Sequence, residues 1–142
     1  MRSILFKAKK LSDDKWVKGS LVKTPFGTFI EWYEDSICNK REVDPDTVCQ
    51  STGLKDCKGN EVWEGDILQD VDDDNIKYVV TFNEGTFLAR KEGLYIGIPL
   101  HECVGSLGND VITYAKVVGN KFDKEKYVNQ HINLADTSVL CK

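Results

Sequence analysis

Along most of this chain apolar and polar side chains alternate with a period of two, and short polar turns interrupt the alternation every few residues. That rhythm predicts β-strands, because successive side chains of a strand point to opposite faces. Over residues 4–9, Ile4, Phe6 and Ala8 fall on one face and Leu5, Lys7 and Lys9 on the other. Ser12, Asp13 and Asp14 follow as a turn, since short polar side chains bond their own backbone there. Residues 16–22 then return as the second strand of a hairpin, and Pro25, Phe26 and Gly27 lead into a third strand over residues 28–33.

Further along, Asp44-Pro45-Asp46 marks a turn in which proline pre-sets the backbone angle. Residues 53–60, with Gly53, Gly59 and Asn60, read as a loop of turn formers. Strands resume over residues 67–71, 76–82, 86–90, 94–98 and 111–118, joined by connectors rich in Asp, Asn and Gly. Helix is scarce. The best candidate covers residues 124–134, where Tyr127, Val128 and Leu134 give a weak apolar stripe. Short strands joined by short turns predict a mainly-β fold: a meander curling into a small SH3-like barrel, extended by an N-terminal β-hairpin.

Composition adds the compartment and the partner classes. No apolar run approaches the roughly 18 residues of a membrane span, and the opening apolar run, Ile4-Leu5-Phe6, is too short for a signal-peptide core. The reading is a cytoplasmic protein with no membrane partner. The five cysteines (Cys38, Cys49, Cys57, Cys103 and Cys141) are odd in number and form no C-x-x-C pair, so neither a disulfide framework nor a zinc ribbon is indicated. His101 and Cys103 would share a strand face, but two ligands do not make a metal site. His131 is remote from both.

The formal net charge of −4 conceals a division. Residues 1–23 carry a net +5, residues 31–74 a net −10, and residues 75–142 a net +1. A basic end and an acidic middle can pair within one molecule or between copies. The acidic total argues against nucleic-acid binding as the main task, because neutralising phosphates supplies most of that affinity.

The most ordered motif spans residues 43–67. It runs Thr52-Gly53-Leu54-Lys55-Asp56, then Lys58-Gly59-Asn60, then Val62-Trp63, then Glu64-Gly65-Asp66-Ile67. This succession resembles the signature of YopX-like proteins. The start, with Ile4 to Lys9 and Trp16-Val17-Lys18-Gly19, resembles the usual family opening, and Val118-Gly119-Asn120 resembles the usual family end. The resemblance covers residues 1–122. It implies a phage- or prophage-encoded protein with an N-terminal hairpin region (residues 1–35), a barrel core (residues 43–122) and a tail (residues 123–142) that is a short helix or disordered. It implies no particular activity.

The residues of the motif also make sense without the family. Gly59 lets Lys58-Gly59-Asn60 reverse the chain, and Gly65 permits a sharp bend before the Ile67 strand. Glu64 and Asp66 flank that bend and are placed to accept hydrogen bonds from loop amides, a structural task they share with Asp56 and the turn at Gly53. The sharper alternative makes Glu64 and Asp66 catalytic carboxylates or metal ligands, since paired acids divide acid and base roles when their environments differ. Any acid pair in an acidic loop meets that criterion, so the structural reading is preferred.

Other chemistry is thin. No phosphate-binding G-x-x-x-x-G-K-S/T run occurs, nor a G-x-S-x-G nucleophile elbow. Asp70-Val71-Asp72-Asp73-Asp74-Asn75 resembles half a calcium loop, but its sixth position is Asn75 rather than glycine and its twelfth is Thr81 rather than glutamate. The basic N-terminal hairpin offers Lys9, Lys10, Lys15, Trp16 and Lys18 for nucleic-acid contact. The simpler reading is a solvated lysine face that guards an edge strand. The sequence therefore points to a non-enzymatic interaction module without cofactor, self-associating and contacting an unidentified host or phage protein. A weak nucleic-acid binder and a metal-assisted hydrolase at Glu64 and Asp66 stand as the alternatives.

Overall fold

The computed structural model describes residues 4–91, 97–100, 103–104, 109–110 and 114–123. Their regular structure is nearly all antiparallel β, as the alternation predicts. The chain divides into two compact units, residues 1–53 and residues 54–142.

The first unit is built from β1 (Phe6–Lys9), β2 (Trp16–Thr24), β3 (Gly27–Glu34), β4 (Ile37–Glu42) and the start of β5 (Cys49–Lys55), in the order β4-β3-β2-β1-β5. Its hairpins are tight. The β1–β2 turn is held by Asp13, whose carboxylate accepts from the Lys15 amide at 3.0 Å. In the β2–β3 turn the Thr24 hydroxyl accepts from the Phe26 amide at 3.1 Å and donates to the Gly27 carbonyl at 3.2 Å. Asp35 and Ser36 both take positive φ (49° and 67°) between the paired residues Glu34 and Ile37. Two consecutive positive-φ residues make the mirror-image turn whose twist matches that of a hairpin.

The sheet also curls. Lys10 bridges Val43, the Asp44 amide donates to the Lys9 carbonyl at 2.8 Å, and the Leu11 amide donates to the Glu42 carbonyl at 3.1 Å. A 3-10 turn (Pro45–Thr47) seals this corner: the Thr47 hydroxyl accepts from the Lys9 amide at 2.9 Å and donates to the Asp44 carbonyl at 2.8 Å. The concave face encloses Ala8, Ile30 and Val43, with Phe6, Val17, Leu21, Trp32 and Val48 packed around them. Gly19 is buried at the crowded centre, where a β-carbon would fall against the Glu31 carbonyl oxygen.

In the second unit the end of β5 pairs with β6 (Glu61–Trp63). A five-stranded sheet follows in the order β10-β9-β8-β7-β13, from β7 (Asp66–Asp70), β8 (Lys77–Asn83), β9 (Thr86–Lys91), β10 (Gly97–Pro99) and β13 (Ala115–Asn120). Two further short strands, β11 (Cys103–Val104) and β12 (Asn109–Asp110), pair with each other. Val62, Leu68, Tyr78, Val80, Ala89, Leu100 and Ala115 form the core, with Leu54, Ile76, Phe87, Tyr114 and Val117 against it.

Two sequence expectations need correction. The barrel does not close: among the described residues both main sheets are open, the second ending in β10 and β13 and the first in the exposed strand β4. Strand β4 itself breaks the alternation rule, because an edge strand exposed along its length needs no apolar face. Residues 53–55, read as part of a loop, instead finish β5. Strand β10 includes the end of the strand expected at 94–98, and β13 overlaps the second half of the one expected at 111–118; residues 94–96 and 111–113 and the helix expected at 124–134 lie outside the described residues.

Candidate functional site

The signature residues gather in the second unit, and their polar groups are directed at backbone. Asp56, buried at 6% exposure, directly follows β5. One of its carboxylate oxygens accepts from the amides of Lys58 (2.9 Å) and Asn60 (2.8 Å). The other accepts from the Val117 amide at 2.8 Å and the Asn60 side chain at 3.3 Å. Gly59, at φ 85°, completes the reversal by donating to the Asp56 carbonyl at 3.0 Å. The neighbouring Cys57 amide donates to the Ala115 carbonyl at 3.2 Å. Asp56 and Cys57 together therefore cover the edge of β13 that faces away from β7.

The electrostatics of Asp56 follow from these contacts. Burial alone would push its carboxyl upward, but the hydrogen bonds from Val117, Asn60 and Lys58 together outweigh it and hold the pKa below the ordinary 3.8. A carboxylate accepting several amide hydrogens is favoured in its charged form.

The second signature turn is built alike. Gly65 has φ 85°. Its amide donates to the Val80 carbonyl at 2.7 Å, and its carbonyl accepts from the Lys121 amide at 2.9 Å. Asp66, 2% exposed, accepts from the Trp63 amide at 2.8 Å and from the Asn120 side-chain amide at 2.9 Å. Asn120 is equally buried. Its side chain also reaches the Glu64 carbonyl at 3.4 Å and accepts from the Phe122 amide at 2.9 Å. The Glu64-Gly65-Asp66 turn that closes the central motif and the Val118-Gly119-Asn120 segment that marks the end of the family pattern thus lock together. Of the two candidate acids, Asp66 faces this lock, whereas Glu64 is half-buried and contributes its backbone carbonyl. Gly53 lies apart, exposed in β5 at φ 78° with open space where a β-carbon would stand.

Sequence reading missed Asn120 as a partner of Asp66. The signal was present in Val118-Gly119-Asn120, but nothing local reveals that the amide reaches back to a turn so far upstream.

The basic hairpin is a different arrangement from the one expected. Lys9 is 8% exposed, with its ammonium 3.7 Å from Asp14 and 5.5 Å from the centre of the Trp16 ring. The Lys7 ammonium lies 4.6 Å from the same ring. Lys10 pairs with Asp13 at 3.0 Å, and that contact, with the Lys15 amide, lowers the Asp13 pKa. The structure thus brings Lys9, Lys10 and Trp16 together with Asp13 and Asp14, while Lys15 and Lys18 stand exposed.

The acidic run at residues 70–75 also closes on itself. Asp70 accepts from the Asp72 and Asp73 amides at 2.8 and 3.2 Å, Asp73 from the Asn75 amide at 2.9 Å, and Asp74 from the Gln69 side chain at 2.9 Å. Among the described residues no group of three or more His, Cys, Asp or Glu side chains is arranged to hold a metal ion. Cys38 and Cys57 are exposed free thiols and Cys49 is a buried one. The side chains of His101, Cys103, His131 and Cys141 lie outside what the structure describes.

Comparison with known proteins gives a family and a fold. A family model described as YopX protein matches residues 5–128. No curated protein matches the chain. Among solved structures, the chain is similar to protein EF1440 from Enterococcus faecalis, with a TM-score of 0.53 and 19% identity over 89% of this chain and 99% of that one. At that identity the likeness concerns the fold alone.

Proposed function

This chain belongs to the YopX family, and we propose that it is a non-enzymatic interaction module of phage or prophage origin that works in the host cytoplasm through protein contacts and associates with itself. The observation that carries this reading is the use of the signature acids: Asp56 and Asp66 are buried and aimed at amides of their own fold. A carboxylate fixed in this way braces a turn, leaving the surface strands as the part of the molecule free to differ in what they meet. Among the described residues no helix is long and apolar enough to cross a membrane, in keeping with a cytoplasmic setting.

The two competing readings draw less from the geometry. A metal-assisted hydrolase would need Glu64 and Asp66 to face a common ligand, and Asp66 faces Trp63 and Asn120 instead. A nucleic-acid contact would need an open aromatic face, and lysine ammonium groups of the same chain lie over Trp16.

Size-exclusion chromatography with light scattering, run over a range of protein and salt concentrations, tests the self-association. A mass above that of one chain, rising with concentration, is the expected result. A monomer at every concentration overturns it.

A further inference from the structure

The first unit ends in a strand whose outer edge is open. All residues of β4 are exposed except the half-buried Asn39. Which of its backbone groups point outward follows from the turn before it. In a two-residue mirror-image hairpin the flanking pair, here Glu34 and Ile37, exchanges both hydrogen bonds, and bonded pairs then alternate. Ile37, Asn39 and Arg41 therefore bond to β3, while Cys38, Lys40 and Glu42 direct their amides and carbonyls away from it. Two contacts agree with this phase: the Val43 amide donates to the Thr28 carbonyl of β3, and the outward Glu42 carbonyl accepts from the Leu11 amide. The outward Lys40 carbonyl accepts from the Arg41 guanidinium at 2.9 Å, a side chain standing where a strand partner's amide would be.

We propose that β4 is a self-complementary docking edge, on which a second copy of this chain lays its own β4 antiparallel about a two-fold axis at Asn39. The proposal rests on the self-association put forward above and names its interface. Bonding needs outward residues opposite outward residues, and Glu42 is already engaged by Leu11. The register that pairs Cys38 with Lys40 of the second copy, and Lys40 with its Cys38, uses both remaining positions on each strand. It sets Asn39 against its own counterpart and Ile37 against Arg41 of the second copy, so no like charges stand opposite. A one-step shift toward the C-terminal end would instead oppose Lys40 to Lys40, which is unfavourable.

Charge favours the same arrangement. The turn end of the β3–β4 hairpin is acidic, with Glu34 and Asp35, while Lys40 and Arg41 stand farther along β4, before its last residue Glu42; all five are exposed. In this register Ile37 lies between Glu34 of its own β3 and Arg41 of the second copy, so Glu34 and Arg41 approach each other across it on one face of the paired sheets. The apolar stem of Arg41 then covers Ile37 of the second copy, which is 65% exposed in the single chain. An interface of one short strand from each copy is small, so the dimer is of the weak, concentration-dependent kind.

Three sets of variants of the full chain test this. Lys40→Pro removes an outward amide without touching the ladder to β3 and is expected to weaken the dimer roughly ten- to a hundredfold by sedimentation. Glu34→Lys or Arg41→Glu alone weakens it, and the two together restore it. Asn39→Cys, placed on the axis where opposing α-carbons of such a pair lie about 4.5 Å apart, gives a 39-to-39 disulfide under mild oxidation, found by peptide mapping, whereas Arg41→Cys gives no 41-to-41 product. A dimer that withstands Lys40→Pro and yields no 39-to-39 link overturns this interface and leaves the self-association standing. A monomer throughout overturns both.

Discussion

The Asn120 side chain donates to the Asp66 carboxylate at 2.9 Å, joining residues 54 positions apart. Both are buried, and each also satisfies a backbone amide, Trp63 for Asp66 and Phe122 for Asn120. Asp66→Asn is nearly isosteric but replaces one of two accepting oxygens with a donor that must face another donor. We expect a loss of about 1–3 kcal/mol in urea unfolding. Asn120→Ala removes one donor from the buried Asp66 carboxylate and the acceptor of the Phe122 amide, and is expected to cost a similar amount. Because each variant breaks the same contact, the double variant should fall short of the sum. Full additivity would mean that the two side chains act separately.

Asp56 sets a pH dependence of known sign. Its carboxyl is held below the ordinary 3.8 in the folded chain, by amide hydrogen bonds that outweigh the opposing effect of burial. The unfolded chain regains the ordinary value and so takes up a proton first as the pH falls. The stabilisation is complete above the unfolded pKa and disappears as the pH drops through the lower folded one. Urea midpoints followed from about pH 6 to about pH 2 should decline in the acid range. Asp56→Asn should lower the midpoint at neutral pH and flatten part of that decline; an unchanged acid limb would assign it to other carboxylates.

What could be read beforehand follows from where each force acts. Strands with one buried face announce themselves: Phe6 and Ala8 alternate with Lys7 and Lys9, and the buried Tyr78 and Val80 are spaced two apart in an apolar run bounded by Lys77 and Thr81. Strand β4, Ile37-Cys38-Asn39-Lys40-Arg41-Glu42, has no buried face and was invisible to alternation. The brace at Asp56 was partly legible, since Asp followed by Lys-Gly-Asn is local turn chemistry. Its bond to Val117 was not, because that contact spans 61 positions. The lysines of the first hairpin were legible only in part: sequence counts charge, but only the register, with Lys9 opposite Trp16 and the turn acids curled back, shows how much of it is already matched.

Two glycines separate crowding from backbone strain. A β-carbon at Gly19 would meet the Glu31 carbonyl oxygen and the Trp32 side chain. Gly19→Ala must push strands β2 and β3 apart and is expected to cost about 1–3 kcal/mol. At Gly59 nothing lies near the added carbon, but the backbone has φ 85°. Gly59→Ala therefore carries conformational strain alone, about 1 kcal/mol. Thermal melts compare them directly, and an asparagine at position 59, which tolerates positive φ better, should recover part of the second loss while doing nothing for the first.

The first hairpin allows a test that separates packing from surface charge. Lys9 is buried between Asp14 and the Trp16 ring, whereas Lys18 is exposed on the adjoining strand. Lys9→Gln removes a charge from a packed, paired position and should lower the melting temperature; Lys18→Gln should leave it almost unchanged. If nucleic acid were the ligand, the order would reverse in a binding titration, where exposed charges dominate and affinity falls steeply with salt. With lysines lying over Trp16 and two aspartates beside them, titration with single- and double-stranded DNA and RNA at low salt should be flat. Salt-sensitive binding abolished by Lys18→Gln would instead make this face a nucleic-acid surface.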